Sequence, residues 1–332
     1  MDFNNKELHT IIEVSDLTKS FKRYKKKEGL LGSIKGLFSR EYENKLAVNG
    51  VSLKIDEGEF VGLIGPNGAG KTTLIKMLTG IIEPSSGKIE VLGYYPNDMK
   101  NEFKKQYAIV MGQKSQLFYE LTANDTLRLF KEIYGLSEAE FKKNRDFFVE
   151  LFEAEKLLNV QVRTLSLGER MKLEIMVALL HNPKLLFLDE PTIGLDAIAA
   201  RQIRNFLCEL NKEMKTTIIL TSHYMEDIKT LCDRSIILKE GQKIYDGKTD
   251  ELIEKYQTNR KLSVEFDTPV SHLNLQNEII YLEDMPLKKV LLLPKAQTGM
   301  IVKEVMTYSP KDIKIEEEEI GSVVERIYGG TV

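Results

Sequence analysis

A chain of 332 residues, 42% of them hydrophobic, has material for one substantial core and a second, smaller one. Its net charge of −3 excludes a general nucleic-acid binder, which needs a clear basic excess to neutralise phosphates. Its two cysteines, Cys208 and Cys232, suggest neither a disulfide framework nor a metal site and fit a reducing cytoplasm; no apolar run approaches the roughly 18 residues that span a bilayer, so membrane association is expected only through another component.

Residues 1–10, with the polar start "MDFNNKELHT", read as a flexible tail rather than a signal peptide. Residues 22–45 then hold eight Lys/Arg against three Glu, a net +5. Within them Leu30, Leu31, Ile34, Leu37 and Phe38 fall at helical spacing. Such a basic amphipathic insertion suits anionic headgroups or a membrane subunit, and equally a solvated loop with one packed face.

The strongest local signal is "EFVGLIGPNGAGKTTLIKMLTG". Phe60, Val61, Leu63 and Ile64 form a short apolar strand, residues 65–70 a glycine-rich turn, and residues 71–79 a helix that Gly80 ends. Strand, G-x-x-x-x-G-K-T and helix is the order of a phosphate-binding P-loop. Its N–H groups turn inward around the phosphates, Lys71 reaches the terminal ones, and Thr72 offers a hydroxyl to Mg²⁺.

After a helix-rich insert near residues 114–165, with an S-x-x-E start at Ser137, comes "RTLSLGERMKLEIMVALLHNP". Leu173, Ile175, Met176, Leu179 and Leu180 keep roughly to one face of the helix it predicts. Ser166 and Glu169 have capping-box spacing, while Ser166 and Gly168 at a helix start also make an anion site in need of an anion. "PKLLFLDEP" reads as a buried parallel strand delivering Asp189 and Glu190 at its carboxyl end. Asp189 is expected to hold the Mg²⁺ shell and Glu190 to polarise the attacking water as general base. His223, after the buried run "TTIILTS", is placed to reach a γ-phosphate, whereas His9, His181 and His272 have no such setting.

These segments together resemble the ATP-binding cassette (ABC) ATPases, the nucleotide-binding subunits of ABC transporters, over residues 11–246. The P-loop spans residues 65–73, that is Gly65, Pro66, Asn67, Gly68, Ala69, Gly70, Lys71, Thr72 and Thr73. It is followed by "MGQKSQLFYELT" with Gln113, the signature "LSLGER", the strand "LLFLDEP", "GLD" with Asp196, and His223. The resemblance implies an α/β P-loop NTPase cassette with a helical subdomain, using ATP and Mg²⁺. Catalysis would fall to Glu190, His223, Gln113 and Lys71, with Thr72, Gln113 and Asp189 around the metal. Two copies would face each other head to tail, so that Ser166, Gly168 and Asp196 of one serve the ATP held by the other, which supplies the missing anion. Phe21 is the adenine-stacking position, with Tyr24 and Tyr42 as rivals. Two departures stand out: Leu167 occupies the usual first glycine of the signature and Glu169 its glutamine, and we expect Glu169 to cap its own helix.

Beyond Gly247, "TDELIEKY" reads as a short helix. The β-branched runs "KLSVEF", "KKVLLL" and "GMIVKEV" then alternate with loops before "GSVVERIYGG", so that residues 247–332 are expected to form a small α+β accessory or regulatory domain. Such an extension, the insertion and "LSLGER" are similar to ABC-2-type exporters of the daunorubicin and multidrug-resistance kind. That implies a homodimer at the cytoplasmic face of the plasma membrane, held by separate permease subunits and with no nucleic acid bound. A non-transport ABC ATPase of translation or chromosome maintenance would carry two cassettes or sustained heptads, neither of which occurs; an importer ATPase shares the same catalytic motifs.

Overall fold

The computed structural model describes residues 9–24, 42–112, 114–222, 224–256, 258–275 and 279–318. Residues 1–8 of the expected tail, the amphipathic stretch 25–41, Gln113, His223 and the closing run 319–332 lie outside the described residues. The chain divides into two compact units, residues 1–247 and 248–332.

In chain order the first unit contains β1 (Thr10–Tyr24), β2 (Tyr42–Asp56), β3 (Phe60–Ile64), α1 (Lys71–Leu78), β4 (Ser86–Val91), α2 (Asn101–Lys104) and β5 (Tyr107–Met111). It continues with α3 (Ala123–Tyr134), α4 (Glu138–Leu151), α5 (Leu167–Leu179), β6 (Leu185–Asp189), α6 (Ala197–Met214), β7 (Thr217–Thr221), α7 (Met225–Leu231), β8 (Arg234–Lys239) and β9 (Gln242–Lys248), whose last residue opens the second unit. The strands sort into two sheets. One is antiparallel, ordered β2-β1-β4; the other is six-stranded, ordered β5-β6-β7-β3-β8-β9, with β5, β6, β7, β3 and β8 all parallel. The separate antiparallel layer is not anticipated by the sequence reading, because its strands mix buried and exposed positions across several bulges instead of alternating cleanly. Helix α1 lies at the shared core: its Leu74, Ile75 and Leu78 cluster with Ile12 and Val48 of the antiparallel sheet and with Leu185, Phe187 and Ile219 of the parallel one.

The insertion is narrower than its expected limits of 22 and 45. Strands β1 and β2 stay paired through Phe21 with Lys45 and Lys22 with Asn44 out to Tyr24 with Tyr42, so both ends of that stretch are strand. A period-2 pairing had been hidden by lysines, which strands accommodate when one face is solvated.

Local capping explains where the helices begin. Thr122 accepts a hydrogen bond from the Asp125 amide at the start of α3, and Gly135 closes that helix in the left-handed region. Ser137 and Glu140 form a full capping box on α4. Helix α5 departs from the one-faced pattern: Met171 and every residue from Leu173 to Leu179 are buried, Glu174 included. It touches β5, α3, α4 and α6, so almost no side faces water.

The second unit contains α8 (Thr249–Tyr256), β10 (Asn259–Glu265), β11 (Ile280–Met285), β12 (Lys288–Pro294), α9 (Thr298–Met306) and β13 (Asp312–Glu317), with an antiparallel sheet ordered β11-β12-β10-β13. Here "GMIVKEV", read as a β-branched run, is helix α9. Ile301 and Val305, spaced i and i+4, pack against Leu262, Val264, Leu291 and Leu293. Burying two such side chains contributes about 1.5–3 kcal/mol each, well above the few tenths by which β-branching disfavours a helix.

Candidate active site

Four neighbouring parallel strands carry the expected chemistry at their carboxyl ends. Strand β3 feeds the glycine loop, β6 ends in Asp189, β7 ends in Thr221, and β5 ends at Met111, opposite Asp189. Because Leu63 and Asp189 are both in register with Thr221, the loop and the acid are brought to the same edge of the sheet from either side of β7.

The loop needs its glycines for space. Gly70 has φ 105°, and a Cβ there would stand 2.3 Å from the Ala47 carbonyl oxygen, so no other residue fits without moving backbone. Gly70 is also the N-cap of α1 and gives no side-chain cap; the first turn carries no acid, so its amides stay available to an anion. Lys71, only 6% exposed, folds its ammonium back onto the loop, donating to the carbonyls of Gly65 at 2.5 Å and Pro66 at 3.2 Å. Burial draws its pKa below the ordinary value, while the carboxylates of Glu190 and Asp189 act in the opposite direction.

Residues 66–73, Phe21 and Glu190, together with Lys45 and Ala47, line one cleft of about 290 Å³. Phe21 is 40% exposed, with the Lys19 ammonium 5.4 Å from its ring centroid, which leaves an aromatic face available at the mouth. The side chains of Tyr24 and Tyr42 lie outside the described residues. Lys45 was missed by the sequence reading; its only signal is the cross-strand register that sets it opposite Phe21.

Asp189 and Thr72 make a pair of hard oxygen donors, Thr72 Oγ1 lying 3.5 Å from Asp189 Oδ2. The other carboxylate oxygen accepts the Thr221 hydroxyl at 2.5 Å, which fixes the carboxylate plane. Thr221 is a further residue the sequence did not reveal, being the last position of a wholly buried strand. A hydroxyl and a monodentate carboxylate facing a phosphate cradle match the donor set a Mg²⁺ ion takes beside a nucleotide, so the residues fit that ion. Glu190 follows with φ 57°, a left-handed conformation that costs a non-glycine residue of order 1 kcal/mol or more; its amide is held by the Thr221 carbonyl at 3.0 Å.

Ser166, Gly168 and Asp196 do not line this cleft; they form a second cluster. Ser166 and Glu169 make the capping box in both directions, the Glu169 carboxylate accepting from the Ser166 amide and hydroxyl, each at 2.8 Å. Asp196 caps α6, accepting from the amides of Ile198 and Ala199 at 2.9 and 2.8 Å. Gly168 joins the two helix starts: a Cβ on it would meet the Ala199 Cβ at 2.8 Å. Leu167, the first departure from the usual signature, is 40% exposed, and a Cβ on Gly194 would stand 3.3 Å from its Cδ2.

The sequence profile of the ABC transporter family matches residues 48–193. The ABC transporter ATP-binding protein NatA of Bacillus subtilis is 37% identical over 220 residues, covering 65% of this chain and 89% of that protein. The chain belongs to the ABC transporter ATP-binding proteins. An uncharacterised ABC transporter ATP-binding protein of Methanocaldococcus jannaschii is 30% identical over 84% of this chain and 96% of its own length, and Nod factor export ATP-binding protein I of a Rhizobium species is 38% identical over 65% and 71%. A solved ATP-binding subunit of an ABC transporter superposes with a TM-score of 0.60 at 30% identity, covering 74% of this chain and 93% of that one. A dimeric ATP-binding cassette in a post-hydrolysis state with ADP and Pi superposes with a TM-score of 0.58 at 26% identity, covering 71% and 98%. As an ABC cassette this chain binds ATP and is an ATPase, and cassettes of the family pair into dimers and work with separate membrane subunits. Among the described residues no helix is long and apolar enough to cross a membrane.

Proposed function

We propose that this chain is the ATP-hydrolysing subunit of an ABC-2-type exporter, held at the cytoplasmic face of the plasma membrane by separate permease subunits. It works as a head-to-tail homodimer that closes on ATP. The observation that carries this reading is the division of the phosphate-binding groups into two clusters: the P-loop cleft with Glu190, and the paired helix starts with Ser166, Gly168 and Asp196. A site whose second half lies away from the first is completed by another copy. The names of two relatives support the direction, since one is Nod factor export ATP-binding protein I and another is linearmycin resistance ATP-binding protein LnrL.

In this reading Lys71 and the free amides of α1 hold the β- and γ-phosphates, and Phe21 stacks on the adenine. Thr72, Asp189 and Gln113 hold Mg²⁺, which when bound neutralises charge developing on the phosphates. Glu190 takes the proton of the attacking water, and His223 and Gln113 orient that water and the γ-phosphate. Ser166 and the N-terminus of α5 close over the partner's γ-phosphate, with Asp196 beside them. The helical subdomain near 114–165 grips the permease, and residues 247–332 serve as an accessory domain.

Glu190→Gln tests the proposal. It should lower kcat by about 10²–10⁴, spare ATP binding, and trap a Mg·ATP-dependent dimer in size-exclusion chromatography. A strictly monomeric variant, even with its permease present, would overturn the dimer mechanism. Hydrolysis at near the parent rate would overturn the role of Glu190. Co-purification with a binding-protein-dependent permease would identify an importer instead.

A further inference from the structure

Outside the cleft, one buried charge near the strand ends is fully partnered: Asp227, in the first turn of α7 and 0% exposed. One of its oxygens accepts two hydroxyls, from Thr192 at 2.5 Å and Ser222 at 2.6 Å; the other accepts the Arg204 guanidinium of α6 at 3.0 Å. The Ser222 hydroxyl in turn accepts the Tyr224 amide at 2.9 Å.

The placement of the two hydroxyls in the chain gives this cluster its meaning. Thr192 lies two residues after Glu190, in the turn that leaves β6 and runs on to Asp196. Ser222 immediately precedes His223, in the turn that leaves β7. Strands β6 and β7 are neighbours with Asp189 opposite Thr221, so two loops depart side by side and a single carboxylate oxygen ties both stems. An unpaired buried carboxylate is costly, and here the cost is offset by one cation and two hydroxyl donors, which also fix its position within a narrow range.

We infer that Asp227 is a positioning residue for hydrolysis, stapling the loop that carries Glu190 to the loop that carries His223 so that both approach one nucleotide in a fixed mutual geometry. It touches no substrate; it acts through the two loops. Misplacing a catalytic group by about 1 Å costs on the order of 10²-fold, so loosening one stem is enough to slow turnover. The inference rests on the ATPase reading above and adds a residue to it.

The test uses the full-length chain and Mg·ATP. Asp227→Asn keeps the shape but gives up the charge that holds Arg204. It should lower kcat by about tenfold or more while the ATP dissociation constant stays within about twofold and the thermal transition remains cooperative. Thr192→Val and Ser222→Ala should each lower kcat several-fold, and neither should add more than about twofold in the Asp227→Asn background, because all three cut the same tie. Should Asp227→Asn fail to fold, the Thr192→Val/Ser222→Ala double variant decides: a loss smaller than the product of the two singles supports the staple, and a product-like loss overturns it. Parent-like kcat in Asp227→Asn, or loss of ATP affinity in step with kcat, also overturns it. A parent chain without Mg·ATP hydrolysis would remove the ATPase reading instead, so the two failures are distinguishable.

Discussion

Helices α1 and α5 both begin at groups suited to phosphate, yet they are built in opposite ways. Helix α1 starts at Gly70, without a side-chain cap and without an acid in its first turn, over a buried ammonium. Helix α5 starts at Ser166, whose hydroxyl and amide are already engaged by Glu169 in its first turn. Among the described residues the first terminus has no side-chain cap for its amide donors, which is the condition for holding a polyanion without help. The second is internally satisfied, so an anion can recruit the Ser166 hydroxyl only by turning its proton away from Glu169. In the proposed mechanism, binding at α1 is therefore built in, whereas binding at α5 is conditional on a second phosphate-bearing surface arriving.

Substitutions at the two helices should separate these modes. Lys71→Ala strikes the unconditional end and should lower kcat/KM for ATP by about 10²–10³, measured by steady-state phosphate release. Ser166→Ala strikes the conditional end: ATP affinity of the isolated chain should hold, while ATP-driven dimerisation weakens about tenfold and folding stability falls by about 1 kcal/mol. Ser137→Ala is the control, because that capping box has the same geometry on α4 but no assigned phosphate; it should cost about 1 kcal/mol in chemical denaturation and leave hydrolysis unchanged.

A smaller effect belongs to Glu174, buried on α5 with one oxygen accepting the Gln116 amide at 2.9 Å. Burial raises its pKa above the ordinary 4.5, against the opposing effect of its hydrogen bonds to Ser115, Gln116 and Leu117. The folded state thus keeps the proton over a pH window in which the unfolded chain has lost it. Stability from this group is full below the unfolded value and declines as pH rises through the folded one. Glu174→Gln should flatten the dependence of melting temperature on pH above 4.5, and an unaltered slope would count against it. Smallest of all is Glu169→Gln, which can retain the cap while removing the charge: ATPase activity should stay within about twofold. A large gain would mean that the carboxylate opposes closure rather than serving its own helix.

The two helices also differ in how far the sequence announced them. The P-loop was legible because its chemistry and its backbone demand the same residues: Gly70 is needed both for φ 105° and for the approach of Ala47. The capping boxes at Ser137 and Ser166 were legible for a similar reason, being local and fixed by a three-residue spacing. What depends on partners distant in sequence was not. The burial of α5 on nearly all sides comes from four surrounding elements, and Thr221 gains its part in the site only through register with Asp189. "GMIVKEV" was misjudged because β-branching signals a strand locally, while the i, i+4 pair Ile301 and Val305 finds a sheet to cover.

The contact between Gly168 and Ala199 brings the starts of α5 and α6 as close as their backbones allow. With room for no more than a hydrogen at residue 168, any larger side chain there would force the two helix starts apart. A side chain added at residue 168 would therefore disturb the caps at Ser166 and Asp196 together. One substitution at residue 168 would thus reach both helix starts at once, although neither capping residue is itself changed.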